Sequence, residues 1–437
     1  MNLRCKWLAL LLALLLLPLP VMAAEGTVEI YTAQQLAAIA DDPAGSYVLM
    51  ADLDMTGIAW KGLDFTGTFD GNGHIIANLC PQLPGDTLEP SYDGNSKPYD
   101  TTYYGLFATL KGAQVRNLQL LNVRAVVESD VPVFLAGLAG YSLDSTITNC
   151  TVTGCLELRA HDRMFGVAGM VGYGSGTVEN CTVDVTLICT DTDRTTKDEQ
   201  FMAAVFATGF MDVLGCTVNI DGYSSEYGYA HNGGITGMYM QYPLGAGKRG
   251  KLMGNTVTGK ISFFEWNNDR RAYCAAEAGE VLAYAKDIKD NTCDFIRDEH
   301  KEYDTELRPE MCENAVYSEA VTPFACGKPG YTEFTCKTCG YRYKDNYTLP
   351  DHTLSEWTVS VPATVEAVGV EEASCTGCGF RFTRELEKLP PPETTVPAET
   401  EPAPSQRAAA PQWLLPALGG TALLAAAVLV LMLKKRK

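Results

Sequence analysis

The sequence predicts an all-β chain: a right-handed parallel β-helix (a solenoid) with a short N-terminal capping helix. A small β-rich cysteine module and a single transmembrane helix follow. Three observations predict the solenoid. The first is a recurring unit. Ser145 to Val152 reads Ser-Thr-Ile-Thr-Asn-Cys-Thr-Val and returns as Gly176 to Val183, Gly-Thr-Val-Glu-Asn-Cys-Thr-Val. Looser copies are Ile75 to Pro81, Ala113 to Leu120, Met211 to Val218, Gly250 to Val257 and Lys286 to Cys293. One aligned position is held in turn by Asn78, Asn117, Asn149, Asn180, Gly215, Gly254 and Asp290, with spacings of 39, 32, 31, 35, 39 and 36 residues. Asn, Gly and Asp are the residues that best tolerate a left-handed backbone.

The second observation is parity. Two residues before each of those positions stands an apolar side chain: Ile76, Val115, Ile147, Val178, Val213, Leu252 or Ile288. Inward-type positions resume one and three residues after it, as in Leu118 and Leu120, Cys150 and Val152, Cys181 and Val183, Cys216 and Val218, Asn255 and Val257. A straight strand alternates faces with period two. Apolar positions three apart therefore require a bend, and one left-handed residue keeps both neighbours on the same interior. The third observation is a small–apolar–x–small run 11 or 12 residues before most bends: Gly105 to Ala108, Gly137 to Gly140, Gly169 to Gly172 and Ala204 to Ala207. Stacked strands joined by such turns build a solenoid whose coils bury a shared core.

Residues 1–23 read as a secretory signal, with Arg4 and Lys6, the apolar run Leu8 to Leu17 and the small-residue end Val21-Met-Ala23. Residues 24–308 are assigned to the solenoid. Thr32 is placed to cap a helix over Ala33 to Ala40 with Leu36 and Ile39 on one face, covering the first coil. A strand is expected over Ser46 to Met55, and Asp70-Gly-Asn-Gly73 marks a tight turn.

The Ser46 to Asp54 segment, followed by Phe65-Thr-Gly-Thr-Phe-Asp-Gly-Asn-Gly-His74, resembles the start of many bacterial surface β-helices. The pairing of Gly137-Leu-Ala-Gly140 with Ile147-Thr-Asn-Cys150 is similar to the GLUG repeat. That repeat occurs in bacterial cell-surface adhesins and in N-terminal regions of some immunoglobulin-cleaving metallopeptidases. The resemblance covers roughly residues 27–300 and is most specific over 46–80 and 104–185. It implies a β-helix at the cell surface. The peptidases also carry a His-Glu-x-x-His helix, and the five histidines here form no such motif, so that activity is not implied.

Cysteines fall into three groups. Cys150, Cys181 and Cys216 occupy one repeat position and read as small buried residues in an internal ladder; a disulfide between coils is the alternative. Cys80, Cys155, Cys189, Cys274, Cys293 and Cys312 are scattered. Cys5 falls in the signal, and the last five belong to residues 309–388, a two-copy module in which Cys336-Lys-Thr-Cys339-Gly340 matches Cys375-Thr-Gly-Cys378-Gly379 at an offset of 39. It resembles short cysteine repeats near the C-termini of secreted Firmicutes-type surface proteins. A zinc ion could be held by Cys336, Cys339, Cys375 and Cys378, or by Cys326, Cys336, Cys339 and His352. Disulfides alone are the other reading.

Residues 389–411 are a Pro/Thr/Glu-rich linker, which at about 3.1 Å per residue reaches roughly 70 Å. Residues 412–433 hold the apolar run Trp413 to Leu433, 21 residues long and sufficient to cross a bilayer. The basic tail 434–437 then stays inside. The layout resembles the tail of a sortase substrate, but Leu418 stands where the acylated threonine of the sorting motif belongs, so retention in the membrane is expected rather than attachment to the wall.

The net charge is −19. Without Arg4, Lys6 and the four basic residues of the tail, 28 basic residues face 53 acidic ones, a balance of −25. This disfavours nucleic acid and anionic lipid surfaces as partners. Function in solenoids concentrates in the loops that interrupt the coils. The segment 221–249 is richest in aromatics, and Tyr223, Tyr227, Tyr229, Tyr239 and Tyr242 are its candidate ligand-binding residues. Packing of those rings onto the coils is the competing reading. The expected function is a bacterial cell-surface adhesin or binding protein whose ligand is a glycan or a surface protein. The alternative is a polysaccharide-active lyase or hydrolase. Outward positions beside the bends, among them Gln119, Glu179, Asp184, Asn219 and Thr258, form no recurrent carboxylate pair, which favours binding over catalysis.

Overall fold

Every one of the seven aligned bend positions is left-handed. In a computed structural model of the chain, φ is 59° at Asn78, 53° at Asn117, 54° at Asn149, 53° at Asn180, 62° at Gly215, 67° at Gly254 and 58° at Asp290. The structure describes residues 26–92, 97–160, 164–191, 199–225, 229–240, 244, 250–264, 271–282, 286–300, 316–325, 329–338, 342–349, 353–366, 369–377, 381–386 and 388–390. The predicted signal, linker and membrane span lie outside these residues. No helix among the described residues is long and apolar enough to cross a membrane.

From the strand Pro98–Tyr104 onward, each coil contributes to three sheets, whose coil-to-coil pairing is parallel. In one coil Val133–Ala136 belongs to a seven-stranded sheet, Ala139–Thr148 to a thirteen-stranded sheet and Thr151–Ala160 to an eight-stranded sheet. We call these sheet 3, sheet 1 and sheet 2. The corner Gly137-Leu138 joins sheet 3 to sheet 1, and the bend Asn149-Cys150 joins sheet 1 to sheet 2. The next coil repeats the path with Met164–Ala168, Val171–Glu179 and Thr182–Asp191, and pairs in register, Ile147 with Val178 and Val152 with Val183. The chain is thus a parallel solenoid of the right-handed type.

The bend residues also link coils. Asn117 Nδ2 donates to Asp70 Oδ1 at 3.0 Å, and Asn149 Nδ2 to Asn117 Oδ1 at 3.3 Å. One residue further on, the interior ladder runs Cys150, Cys181, Cys216, Asn255, each 1 % exposed. The bend turns each following amide along the solenoid axis, and the next coil's ladder residue accepts it. Cys150 N donates to Cys181 Sγ at 3.4 Å, Cys216 N to Asn255 Oδ1 at 2.9 Å and Asn255 N to Asn291 Oδ1 at 2.9 Å. The ladder therefore needs an acceptor atom, which sulfur and the amide oxygen both supply.

The three ladder cysteines are free thiols. Hydrogen bonding with Cys150 pushes the Cys181 thiol up to about 12, with burial adding to the shift. Cys216 is raised as well, by Cys181 and by burial. Against the ordinary thiol value of 9.0 both shifts are upward. Their contribution to stability is therefore complete below about pH 9 and is lost as the pH climbs through the folded values. At pH 8 a soluble maleimide should leave all three unlabelled in the folded protein and label them in urea. A Cys150–Cys181 or Cys181–Cys216 disulfide in a non-reduced peptide map would overturn this reading.

The N-terminus is closed as expected. Thr32 caps Ala33–Ala37 in a capping box with Gln35, and a 3-10 turn continues over Ala38–Asp41. Leu36 and Ile39 are fully buried in the same core as Phe65 and Phe69. The expected strand Ser46 to Met55 is shorter and divided, Ser46–Leu49 and Leu53–Asp54. Asp52 intervenes, where its carboxylate takes His74 Nδ1 at 2.9 Å and the Ile75 amide at 2.9 Å.

The cysteine module forms two three-stranded antiparallel sheets. Tyr317–Thr322, Gly330–Cys336 and Arg342–Thr348 make the first; Thr358–Val361, Gly369–Ser374 and Arg381–Leu386 make the second. The last two strands of each sheet start 39 residues apart, which matches the sequence repeat.

Candidate functional site

The segment 221–249 is not one protruding loop. Thr217–Ser225, Tyr229–Gly233 and Thr236–Met240 are solenoid strands, and the chain resumes at Gly250–Met253. Tyr239 is fully buried in the main core, stacked on Phe210 with centroids 5.3 Å apart. It packs coils and presents nothing to a ligand. Tyr223 points outward on sheet 2 but is only 6 % exposed, beside Ile188 and Phe264. Its hydroxyl donates to Asp221 Oδ2 at 3.0 Å. Burial raises the Asp221 carboxyl above its usual value, against the opposing pull of Tyr223 and Lys260. Tyr229 is half-buried at the start of its sheet 3 strand. Tyr227 and Tyr242 lie outside the described residues.

The structure gathers a different set of aromatics. Where sheet 3 turns into sheet 1, the outer surface is concave, and outward side chains of the two sheets meet. On sheet 3 the register aligns Tyr103, Phe134, Gly166, Phe201, His231 and Tyr273. On sheet 1 it aligns Thr109, Tyr141, Tyr173, Thr208, Met238 and Glu280. Ring centroids lie 5.2 Å apart for Tyr103 and Tyr141, 5.5 Å for Phe134 and Tyr173, and 6.2 Å for Phe134 and Phe201 across Gly166. Phe201, His231 and Tyr273 stack nearly parallel, with steps of 5.1 and 5.2 Å.

The small–apolar–x–small run makes this notch possible. Its apolar residue, Leu138 or Met170, is fully buried in the main core. Its last glycine allows the sheets to close. A Cβ at Gly140 would lie 2.6 Å from Tyr103 Cβ, and one at Gly172 2.7 Å from Phe134 Cβ.

The two ends of the notch differ. Toward the N-terminus, Glu89–Tyr92 pairs antiparallel with Pro98–Tyr104 and folds over it. Tyr103 OH donates to the Glu89 carbonyl at 3.2 Å, and Tyr92 and Tyr99 pack against the rings. Burial lifts the Tyr103 and Tyr141 hydroxyls well above the usual tyrosine range. Toward the C-terminus the notch becomes polar and opens. His231 Nδ1 faces Glu280 Oε2 at 3.1 Å, and the Glu280 side chain is 25 % exposed. Tyr273 is half-buried, on the last described strand of sheet 3. Tyr229, two residues before His231, shares this outward face. It is the one predicted tyrosine among the described residues that lies on the outward face of sheet 3.

Cys336 and Cys375 are each 2 % exposed, at equivalent places in the two module sheets. Cys326, Cys339, Cys378 and His352, which complete the two expected zinc sets, lie outside the described residues. Among the described residues no group of three or more His, Cys, Asp or Glu is arranged to hold a metal.

The fold and the notch define the class: a parallel β-solenoid with an aromatic file along one concave corner. No family model matches the chain, and no curated protein matches it. Among solved structures it is similar to the Siphovirus 9NA tailspike receptor binding domain, at 10 % identity, 83 % of this chain, 99 % of that one and a TM-score of 0.12. It is also similar to the receptor-binding protein of bacteriophage Det7, a podoviral tailspike in a myovirus, at 9 % identity, 83 % of this chain, 98 % of that one and a TM-score of 0.13.

Proposed function

We propose that this chain is an exported bacterial binding protein of the GLUG-repeat surface type. A C-terminal span holds it in the membrane, and its solenoid presents a ligand site outside the cell. One observation carries the binding reading: the stacked file Phe201, His231, Tyr273 ends beside Glu280, with Tyr229 on the same outward face of sheet 3. Aromatic faces beside a carboxylate and hydroxyls suit a sugar, whose ring carries C–H groups on one face and hydroxyls at its edge. The ligand is therefore a glycan, with a surface protein as the other candidate partner. The module cysteines carry a separate proposal, one zinc ion, which metal analysis of the purified exterior would count.

The test uses residues 24–388 on a panel of plant, mucin and bacterial glycans, recording binding and new sugar ends in the same wells. Binding without cleavage is expected. Tyr273→Ala should weaken it by roughly 30-fold, the effect of losing an aromatic anchor worth about 2 kcal/mol. Unchanged affinity in that variant would remove the notch from the site. The enzyme reading rests on the His231–Glu280 pair, since a carboxylate beside an imidazole can orient it as a base. Release of new sugar ends, abolished by His231→Ala, would replace the binding reading with it.

A further inference from the structure

Sheet 2 carries an apolar patch that its own coils do not explain. Ile75, Ala77 and Leu121 point outward, opposite to the buried Ile76 and Leu120, yet are only 2, 1 and 5 % exposed. At the register position of Ile75 the later coils carry polar residues, with Thr182, Thr217, Thr256 and Thr292 exposed. Tyr347 and Leu349 of the first cysteine repeat pack on the patch. We infer that the strand Arg342–Thr348 is a clasp, an intramolecular docking element that closes the first cysteine repeat onto the N-terminal coils of the solenoid.

Two ion pairs accompany the apolar contact, one on the strand of Leu121 and one two coils further on. Arg124 Nη2 meets Asp345 Oδ2 at 3.1 Å, and Lys344 Nζ meets Asp184 Oδ2 at 3.6 Å. The solenoid holds its partners in place beforehand: Arg124 Nε donates to Asn122 Oδ1 at 2.8 Å, and Asn219 Nδ2 donates to Asp184 Oδ1 at 2.8 Å. On the repeat, Lys344 lies 4.9 Å over the Tyr331 ring, and Tyr331 packs on Tyr347 at 5.8 Å. Burial alone would lower the pKa of Lys344; Asp184, with Tyr331 and Tyr347, outweighs it and raises the value.

The strand is shaped for this contact. Asn346 is left-handed, with φ 53°, and the pairing with Gly330–Cys336 shifts register beside it. A left-handed residue between Lys344 and Tyr347, three apart, turns both toward the solenoid, as the coil bends do for their apolar pairs. The second repeat has Thr383, Arg384 and Leu386 at the positions of Lys344, Asp345 and Tyr347. None of the three matches the cation, carboxylate or aromatic ring at its position, so the clasp belongs to the first repeat alone.

Hydrogen exchange on the full chain tests the clasp without reference to any ligand, so its failure and that of the glycan reading are separable. Asp345→Arg places two cations together and should speed exchange about tenfold over residues 75–77 and 119–124, leaving residues 252–257 unchanged. Combining it with Arg124→Asp reverses the pair and should return the rates to within twofold of the original. Tyr347→Ser, which keeps the charges, should also speed exchange in the patch. The clasp is overturned if Asp345→Arg and Tyr347→Ser both leave the patch at its original rate, or if the reversed pair restores nothing.

Discussion

Gly140→Val, at the corner where sheet 3 turns into sheet 1, is expected to cost about 3 kcal/mol or more. The added Cβ would stand 2.6 Å from Tyr103 Cβ, 2.8 Å from the Tyr104 amide and 3.0 Å from the Tyr103 carbonyl carbon. Two of those three atoms are backbone, held between neighbouring coils, so no rotamer change relieves the clash. The coil must instead move away from its neighbour, which breaks register with the coils on both sides. Urea denaturation followed by circular dichroism would show a lowered midpoint. Gly26→Ala, where nothing lies within 4 Å, is the control and should stay within about 0.5 kcal/mol of the parent. A Gly140→Val midpoint equal to that of the parent would mean that the two sheets can open at no cost, and the close approach would lose its meaning.

Phe134→Ala should cost about 4 kcal/mol, the range for removing a fully buried aromatic ring. By strand alternation Phe134 is an outward residue, and on a flat solenoid face its truncation would cost little. The expectation rests wholly on the concave corner. Phe134 is fully buried there, packed against Tyr103, Tyr173 and Phe201. Val126, an outward residue on sheet 2 that is 56 % exposed, supplies the comparison, and Val126→Ala should stay within about 0.5 kcal/mol. Equal effects of the two substitutions would show that the notch is surface rather than a second core.

The bends were readable because left-handed backbone restricts residue choice. Asn, Gly and Asp recur where φ must be positive, and the flanking apolar parity fixes which side is interior. The capping box was readable for a similar reason, since Thr32 and Gln35 have few other local uses at that spacing. The notch was not read from sequence. Alternation says that Phe134, Tyr141 and Tyr173 point outward; it does not say that two outward faces meet, which depends on the corner angle. A signal was present all the same: aromatics at outward positions on both sides of the Gly137 to Gly140 run. Counting tyrosines in 221–249 missed it because a count does not distinguish Tyr239, which faces the interior, from Tyr229, which faces the notch. The clasp escaped because Lys344, Asp345 and Tyr347 are ordinary strand residues until the outward Ile75, Ala77 and Leu121 are recognised as needing cover.

The docked repeat also decides how the solenoid bears tension. The last described strand of sheet 2, Thr292–His300, has one neighbour, Thr256–Phe264, and no described partner on its other edge. A pull entering there would peel coils off one hydrogen-bond row at a time. With Arg342–Thr348 seated on the solenoid, a pull at Lys388 enters it through two ion pairs and an apolar contact, spread over the strands of Ile75, Leu121 and Asp184. Loaded in shear, those contacts must fail together. The weak end of the stack is thereby taken out of the load path.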